Sequence, residues 1–111
     1  MTKHCVDRIY VKGIENEIGE EGQPILSIRK SNFENWSLEF SVFEEEQLGF
    51  FKSAQLNEEQ IEVAIYVQYM SRLTGKIMIK SVENNEIVAK GICVLNGYRY
   101  IYNRGKFVTT F

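Results

Sequence analysis

Toward the end of the chain the segment VLNGYRYIYNRGKF sets Tyr98, Tyr100 and Tyr102 at every second position, with Arg99 and Arg104 close by. Phenols two apart on an extended chain share one face. Such a face is either the wall of a hydrophobic core with its hydroxyls at the rim, or a platform, since tyrosine is enriched at protein interfaces and stacks on unpaired bases. The wall is the better account, because tyrosines turned outward would leave Ile101 alone to anchor the strand. Phe50 and Phe51 pose the same choice: a helical turn buries both at its edge or leaves one for a partner. Tyr98, Arg99, Tyr100, Tyr102, Arg104, Phe50 and Phe51 therefore form the candidate binding surface.

Catalytic chemistry finds little support. A hydroxyl or thiol nucleophile needs a nearby base, and the only histidine is His4, in an N-terminal stretch expected to be mobile. No G-x-S-x-G elbow is present, and nothing local marks a His4–Cys93 pair as activated. Structural zinc takes four ligands in paired spacings, against three His and Cys residues in this chain. The segment GIENEIGEEG is glycine-rich, but its four glutamates would repel a phosphate. Calcium at Glu15, Glu17, Glu20 and Glu21 lacks the EF-hand spacing, and a solvated hairpin loop explains these residues better. Glu44, Glu45 and Glu46, with Glu58 and Glu59, read as charge runs coating loops rather than as carboxylates facing across a cleft. The expectation is a protein that is not an enzyme, with no catalytic residue, metal or cofactor.

Composition sets the frame for these residues. At 111 residues, 44% hydrophobic and 25% charged, the chain is expected to form a single β-rich domain over 1–111. Its net charge is −2, with Lys and Arg spread singly, which argues against duplex nucleic acid. The first ten residues lack a signal-peptide pattern, and no stretch approaches the roughly 20 apolar residues of a membrane helix. A cytoplasmic protein is expected, with incorporation in a virion as a variant of that reading and no membrane partner. Cys5 and Cys93 are too few for a disulfide framework and read as small apolar strand residues. A bridge between them would need Cα atoms within about 7 Å.

The elements that must position these residues are mostly strands. In WSLEFSV, Trp36, Leu38, Phe40 and Val42 alternate with Ser37, Glu39 and Ser41, the period of a half-buried strand. In QIEVAIYVQYMS, Asn57 and Gln60 resemble a capping box, but Ile61, Val63, Ile65, Val67 and Tyr69 occupy alternate positions and are mostly β-branched, so the segment from Gln60 to Ser71 reads as extended. GKIMIKSV, EIVAKGICVL, YRYIY and KFVTTF follow, separated at Leu73-Thr74, Asn84-Asn85, Asn96-Gly97 and Asn103 to Gly105. Asn96-Gly97 is read as a type I′ hairpin turn. From residue 60 the chain is thus an antiparallel meander of five strands. Ahead of it lie CVDRIYVK, ILSIRKS and WSLEFSVF, the last two joined by a polar turn over Asn32 to Asn35, and one short helical segment is expected near 45–52.

The fold class is mainly β: a single-domain antiparallel barrel or two-layer sandwich of about eight short strands, with a C-terminal meander. The leading functional expectation is a non-catalytic β-module that binds another protein, copies of itself included, as small structural or accessory proteins of phages and mobile elements do. Open sheet edges, which must be closed, shielded or paired with another chain, favour it. The string RKSNFENWSLEFSV resembles a hairpin of phage tail proteins, but in mostly generic alternation, and assigns no family. The alternative is a barrel that binds single-stranded nucleic acid: three strands, a helical segment and further strands resemble the order of the OB-fold. Extra C-terminal strands and the acidic balance count against it. A further alternative is a small-molecule-binding barrel with the tyrosines lining its cavity.

Overall fold

The computed structural model describes the chain apart from Met1, Lys30, Ser31, residues 68–70, Tyr98, Arg104, Gly105 and Phe111, and describes side chains apart from those at positions 2, 32–34, 71, 97, 99–103 and 106–110. Six strands with alternating apolar residues make its wall: β1 (Thr2–Val11), β2 (Ile25–Arg29), β3 (Asn32–Ser41), β4 (Gln60–Val67), β5 (Ser71–Glu83) and β6 (Glu86–Gly91). All pair antiparallel in the order β4-β1-β2-β3-β6-β5, and β5 pairs again with β4, so the sheet closes into a six-stranded barrel. Closure decides between barrel and sandwich, and it leaves each wall strand with two neighbours. In β1 the two pairings follow one another, with β2 opposite Thr2–Cys5 and β4 opposite Val6–Val11.

The lumen is a packed core. Leu26, Trp36, Leu38, Phe40, Ile61, Val63, Ile65, Leu73, Ile77, Ile87 and Ala89 are all buried in it, as alternation predicts for β3 and β4. In β1 the parity changes: Val6 is buried at an even position, Ile9 and Val11 at odd ones. The cause is a register shift between Val6, opposite Val67, and Arg8, opposite Tyr66. One extra residue, Asp7, exchanges the two faces of the strand. Beyond the bulge, Arg8, Tyr10 and Lys12 stand outside.

The helix α1 (Glu45–Leu56) runs one turn past the expected 45–52. Glu45 and Glu46 sit in its first turn, where carboxylates complement the helix dipole. It ends where Glu58 turns to φ 50° and the Glu59 N–H returns to the Ala54 carbonyl at 3.0 Å. Asn57, which resembles the start of a helix in the sequence, is the cap at the end of this one. Phe51 and Ala54 are fully buried, and the Phe51 ring meets Phe40 edge-on with centroids 5.2 Å apart.

Several boundaries differ from the expected ones. Leu73 and Thr74 are no break: they pair with Ile65 and Ala64 inside β5, and Leu73 is buried. Asn32 to Asn35 lie within β3, whose pairing with β2 is irregular between Ile28 and Arg29. His4 belongs to β1, opposite Leu26, rather than to a mobile terminus. The loop GIENEIGEEG is not simply solvated. Ile18 is buried and exchanges backbone hydrogen bonds with Ile9 at 2.8 and 2.9 Å, and Glu20–Gly22 forms a 3-10 turn. Asn96-Gly97 is strand β7, paired with Leu73 and Thr74, not a hairpin turn. Past Gly91 the Ile92 N–H still donates to the Lys76 carbonyl at 3.0 Å; the chain then crosses with Leu95 buried and the Cys93 carbonyl held by Trp36, and rejoins β5 at Leu73 and Thr74. Then β8 (Arg99–Asn103) and β9 (Lys106–Thr110) pair with each other as a two-stranded sheet.

Candidate functional site

The registers on either side of β4 set nine outward positions into a grid. Arg8 faces Tyr66, which faces Arg72; Tyr10 faces Ala64, which faces Thr74; and Glu62 faces Lys76. Lys12 completes the third row, with its N–H on the Glu62 carbonyl at 3.0 Å. The β1 bulge is what allows this, since without it the parity of Val6 would turn Arg8 and Tyr10 inward.

Between the strands lies an open groove of about 550 Å³. Ala64 is its floor; Tyr10, Lys12, Glu62, Arg72 and Lys76 rise around it, and Cys93 and Asn96 border it from the crossover that follows β6. Tyr10 is 46% exposed, a large aromatic surface for an outer strand position. Tyr66 is half-buried: the Arg8 guanidinium lies 4.1 Å from its ring centroid, and Arg72 Nε donates to its hydroxyl at 3.2 Å. Arg8 also pairs with Glu17 at 3.4 Å, and Lys12 with Glu62 at 3.1 Å. Arg72 and Lys76 make no ion pair among the described residues. Four cations against their two carboxylate partners, with Glu59 beside Lys12 and Lys76 at the border, leave this face positive on a chain whose net charge is −2. Thr74 Oγ1 donates to the Asn96 carbonyl at 3.4 Å, and the Lys76 N–H donates to Cys93 Sγ at 3.2 Å, so the crossover is tied to the rim.

The residues singled out in the sequence lie elsewhere. Phe51 is fully buried in the core and offers no surface, a correction that follows from the helical geometry of α1. Phe50 is half-buried, edge-on to Phe51 at 5.2 Å and lying over Gly13. Tyr98 and Arg104 lie outside the described residues; Arg99, Tyr100 and Tyr102 are on β8, and their side chains lie outside the described ones as well. Cys5 and Cys93 are free thiols. His4 stands opposite Leu26 in the β1–β2 ladder, while Cys93 is engaged with Lys76. No helix among the described residues is long and apolar enough to cross a membrane.

No family model matches this chain, and no curated protein does. Among solved structures it is similar to the crystal structure of a hypothetical protein from Staphylococcus aureus, with a TM-score of 0.64 and 17% sequence identity over 89% of this chain and 73% of that one. The likeness is one of fold.

Sequence reasoning missed Arg8, Tyr10, Lys12, Arg72 and Lys76 as a group. Each is an isolated cation or ring in a strand of alternating apolar residues, and the only local signal is the alternation in VDRIYVK, which sets Arg8, Tyr10 and Lys12 on one side.

Proposed function

We propose that this protein is a non-catalytic β-module that binds an acidic protein surface through the outer face of β1, β4 and β5. One observation carries the reading: the strand registers concentrate Arg8, Lys12, Arg72 and Lys76 around an exposed tyrosine on a chain that is acidic overall. Exposed cations around an aromatic attract a carboxylate-bearing partner, steer its approach and give Tyr10 an apolar contact to make. The setting we propose is that of a structural or accessory protein of a phage or mobile element, cytoplasmic or carried in a virion.

Single-stranded nucleic acid is the second reading, favoured by the same cations and by Tyr10. It is weaker, because sequence-tolerant binding stacks successive bases on several aromatics, and Arg8 already lies over the Tyr66 ring. The barrel also has six strands rather than the five of the OB pattern. A small-molecule barrel loses support from its lumen, which is filled by apolar side chains.

The test is fluorescence anisotropy with a labelled glutamate-rich peptide and a labelled oligothymidine, each titrated with salt. The peptide is expected to bind, to weaken as salt rises, and to be lost in the Arg72→Glu/Lys76→Glu variant. Tighter binding of the oligothymidine, or no binding of either probe, overturns the proposal.

A further inference from the structure

The wall order that sets β1, β4 and β5 side by side also sets β2, β3 and β6 side by side on the far side of the barrel. There Glu39 stands between Ile25 on β2 and Val88 on β6, and Ser41 faces Glu86. These residues and Gln23 line a shallow groove of about 260 Å³ whose lining includes no Lys or Arg. Glu39 and Glu86 are exposed, while Ile25 and Val88 are half-buried. One face of the molecule thus offers cations around an exposed tyrosine. The opposite face offers two carboxylates around two branched aliphatic side chains, with Lys90 one row further along β6, opposite Ser37.

Resting on the cationic face argued above, we infer that its partner is a second copy of this chain, docked by its Glu39–Glu86 groove. Arg72 and Lys76, which have no ion pair among the described residues, meet the two carboxylates, and Tyr10 meets Ile25 and Val88. Both halves of the contact are present on every molecule, and they are different surfaces. The contact is therefore heterologous and repeats head to tail, closing into a ring or running on as a filament according to the rotation between copies. Like charges also keep each face from meeting its own kind, so a two-fold dimer through either face is disfavoured.

Sedimentation velocity over a concentration series tests this. Wild-type protein is expected to associate at about 0.05 M salt and to need about tenfold more protein to do so at about 0.5 M. Arg72→Glu/Lys76→Glu and Glu39→Lys/Glu86→Lys are each expected to be monomeric alone and to associate when mixed in equal amounts, because each retains the half that the other lacks. Circular dichroism establishes that both fold, and the neutral pair of the same face, Arg72→Gln/Lys76→Gln or Glu39→Gln/Glu86→Gln, replaces one that does not. Wild-type protein that stays monomeric at low salt, or association that neither variant disturbs, overturns the inference. A monomer that still binds the glutamate-rich peptide would overturn self-docking alone and leave the cationic face as the binding site.

Discussion

Trp36 and Cys93, 57 residues apart, are joined by a hydrogen bond of 2.6 Å from the indole Nε1–H to the backbone carbonyl. The indole can reach that far because Gly75 and Gly91 present no side chain to it. A Cβ at Gly91 would come within 2.1 Å of the ring, and one at Gly75 within 2.7 Å. Gly91→Ala is therefore expected to cost about 3 kcal/mol and Gly75→Ala about 1 kcal/mol, as overpacking does. Trp36→Phe, which removes the donor and leaves a gap, should cost about 2 kcal/mol. Urea unfolding of the three variants gives the ranking, and a Gly91→Ala protein as stable as wild type would refute the packing described.

Phe50 and Phe51 are neighbours with different burdens. Phe51 is fully buried against Phe40, so Phe51→Ala should lose about 4 kcal/mol. Phe50 covers Gly13 and stays half-exposed, and Phe50→Ala should lose about 1 kcal/mol. Leu56, on the same helix, is 83% exposed, and Leu56→Ala should be neutral within about 0.5 kcal/mol. Chemical denaturation measures all three, and equal losses at positions 50 and 51 would contradict the helix orientation.

Three described non-glycine residues take the left-handed region, Gln23 at φ 45°, Glu58 at φ 50° and Asn84 at φ 55°. Asn tolerates that conformation and Glu does so less well. Glu58→Gly is accordingly expected to raise stability by about 0.5 kcal/mol, and Asn84→Val to lower it by about 1–2 kcal/mol. Beside it, Asn85 Nδ2 donates to the Val42 carbonyl at 2.7 Å and the Val42 N–H donates to the Asn85 carbonyl at 2.9 Å. Asn85→Ala removes the first of these, at about 1 kcal/mol. Thermal melts of the three variants check the signs.

Partial burial desolvates the His4 imidazole and holds its pKa below the ordinary 6.5. In the unfolded chain His4 titrates at the ordinary value, so between the two values the unfolded state carries more protons and stability rises with pH. That contribution is present above the unfolded value and is lost as pH falls through the folded one. The melting temperature is expected to fall as the pH is lowered from 7 through the ordinary histidine value, before most carboxylates take up protons. His4→Gln should flatten the slope in that window, and a slope unchanged by the substitution would assign it to other groups.

Wherever one strand faces the core along its whole length, the sequence was enough to read it. Trp36 to Val42 are buried at alternate positions, and so are Ile61, Val63 and Ile65, as their spacing says, while Ala64 on the other face of β4 is buried too, beneath the larger side chains around it. Asn84-Asn85 was legible too, because asparagine adopts the left-handed region a tight turn needs. Asn96-Gly97 carries the same local signal and forms strand instead, because the tie between Trp36 and Cys93 lies far away in sequence and outweighs it. The cationic face was illegible for a related reason. Arg8, Tyr66 and Arg72 become one row only through the pairing of three strands, and the bulge at Asp7 that turns Arg8 outward shows in the sequence only as a break in alternation between Val6 and Ile9.

Glu62 gives the proposed surface a gain-of-function test. Its carboxylate meets Lys12 at 3.1 Å with both side chains largely exposed, at 57% and 75%. An exposed pair of this kind contributes only about 0.2–1 kcal/mol, so Glu62→Gln should leave the melting temperature almost unchanged. It does remove one of the two carboxylates that offset the four cations of the face, which releases Lys12 and raises the local positive potential. The glutamate-rich peptide should therefore bind Glu62→Gln several-fold tighter at low salt, with the gain fading as salt rises. Glu44→Gln, which makes the same change in net charge at an exposed position outside both grooves, should leave peptide affinity as it is in wild type, which separates an effect of this face from one of net charge. Equal peptide affinity for Glu62→Gln and wild type in anisotropy titrations would mean that the acidic ligand binds elsewhere on the barrel.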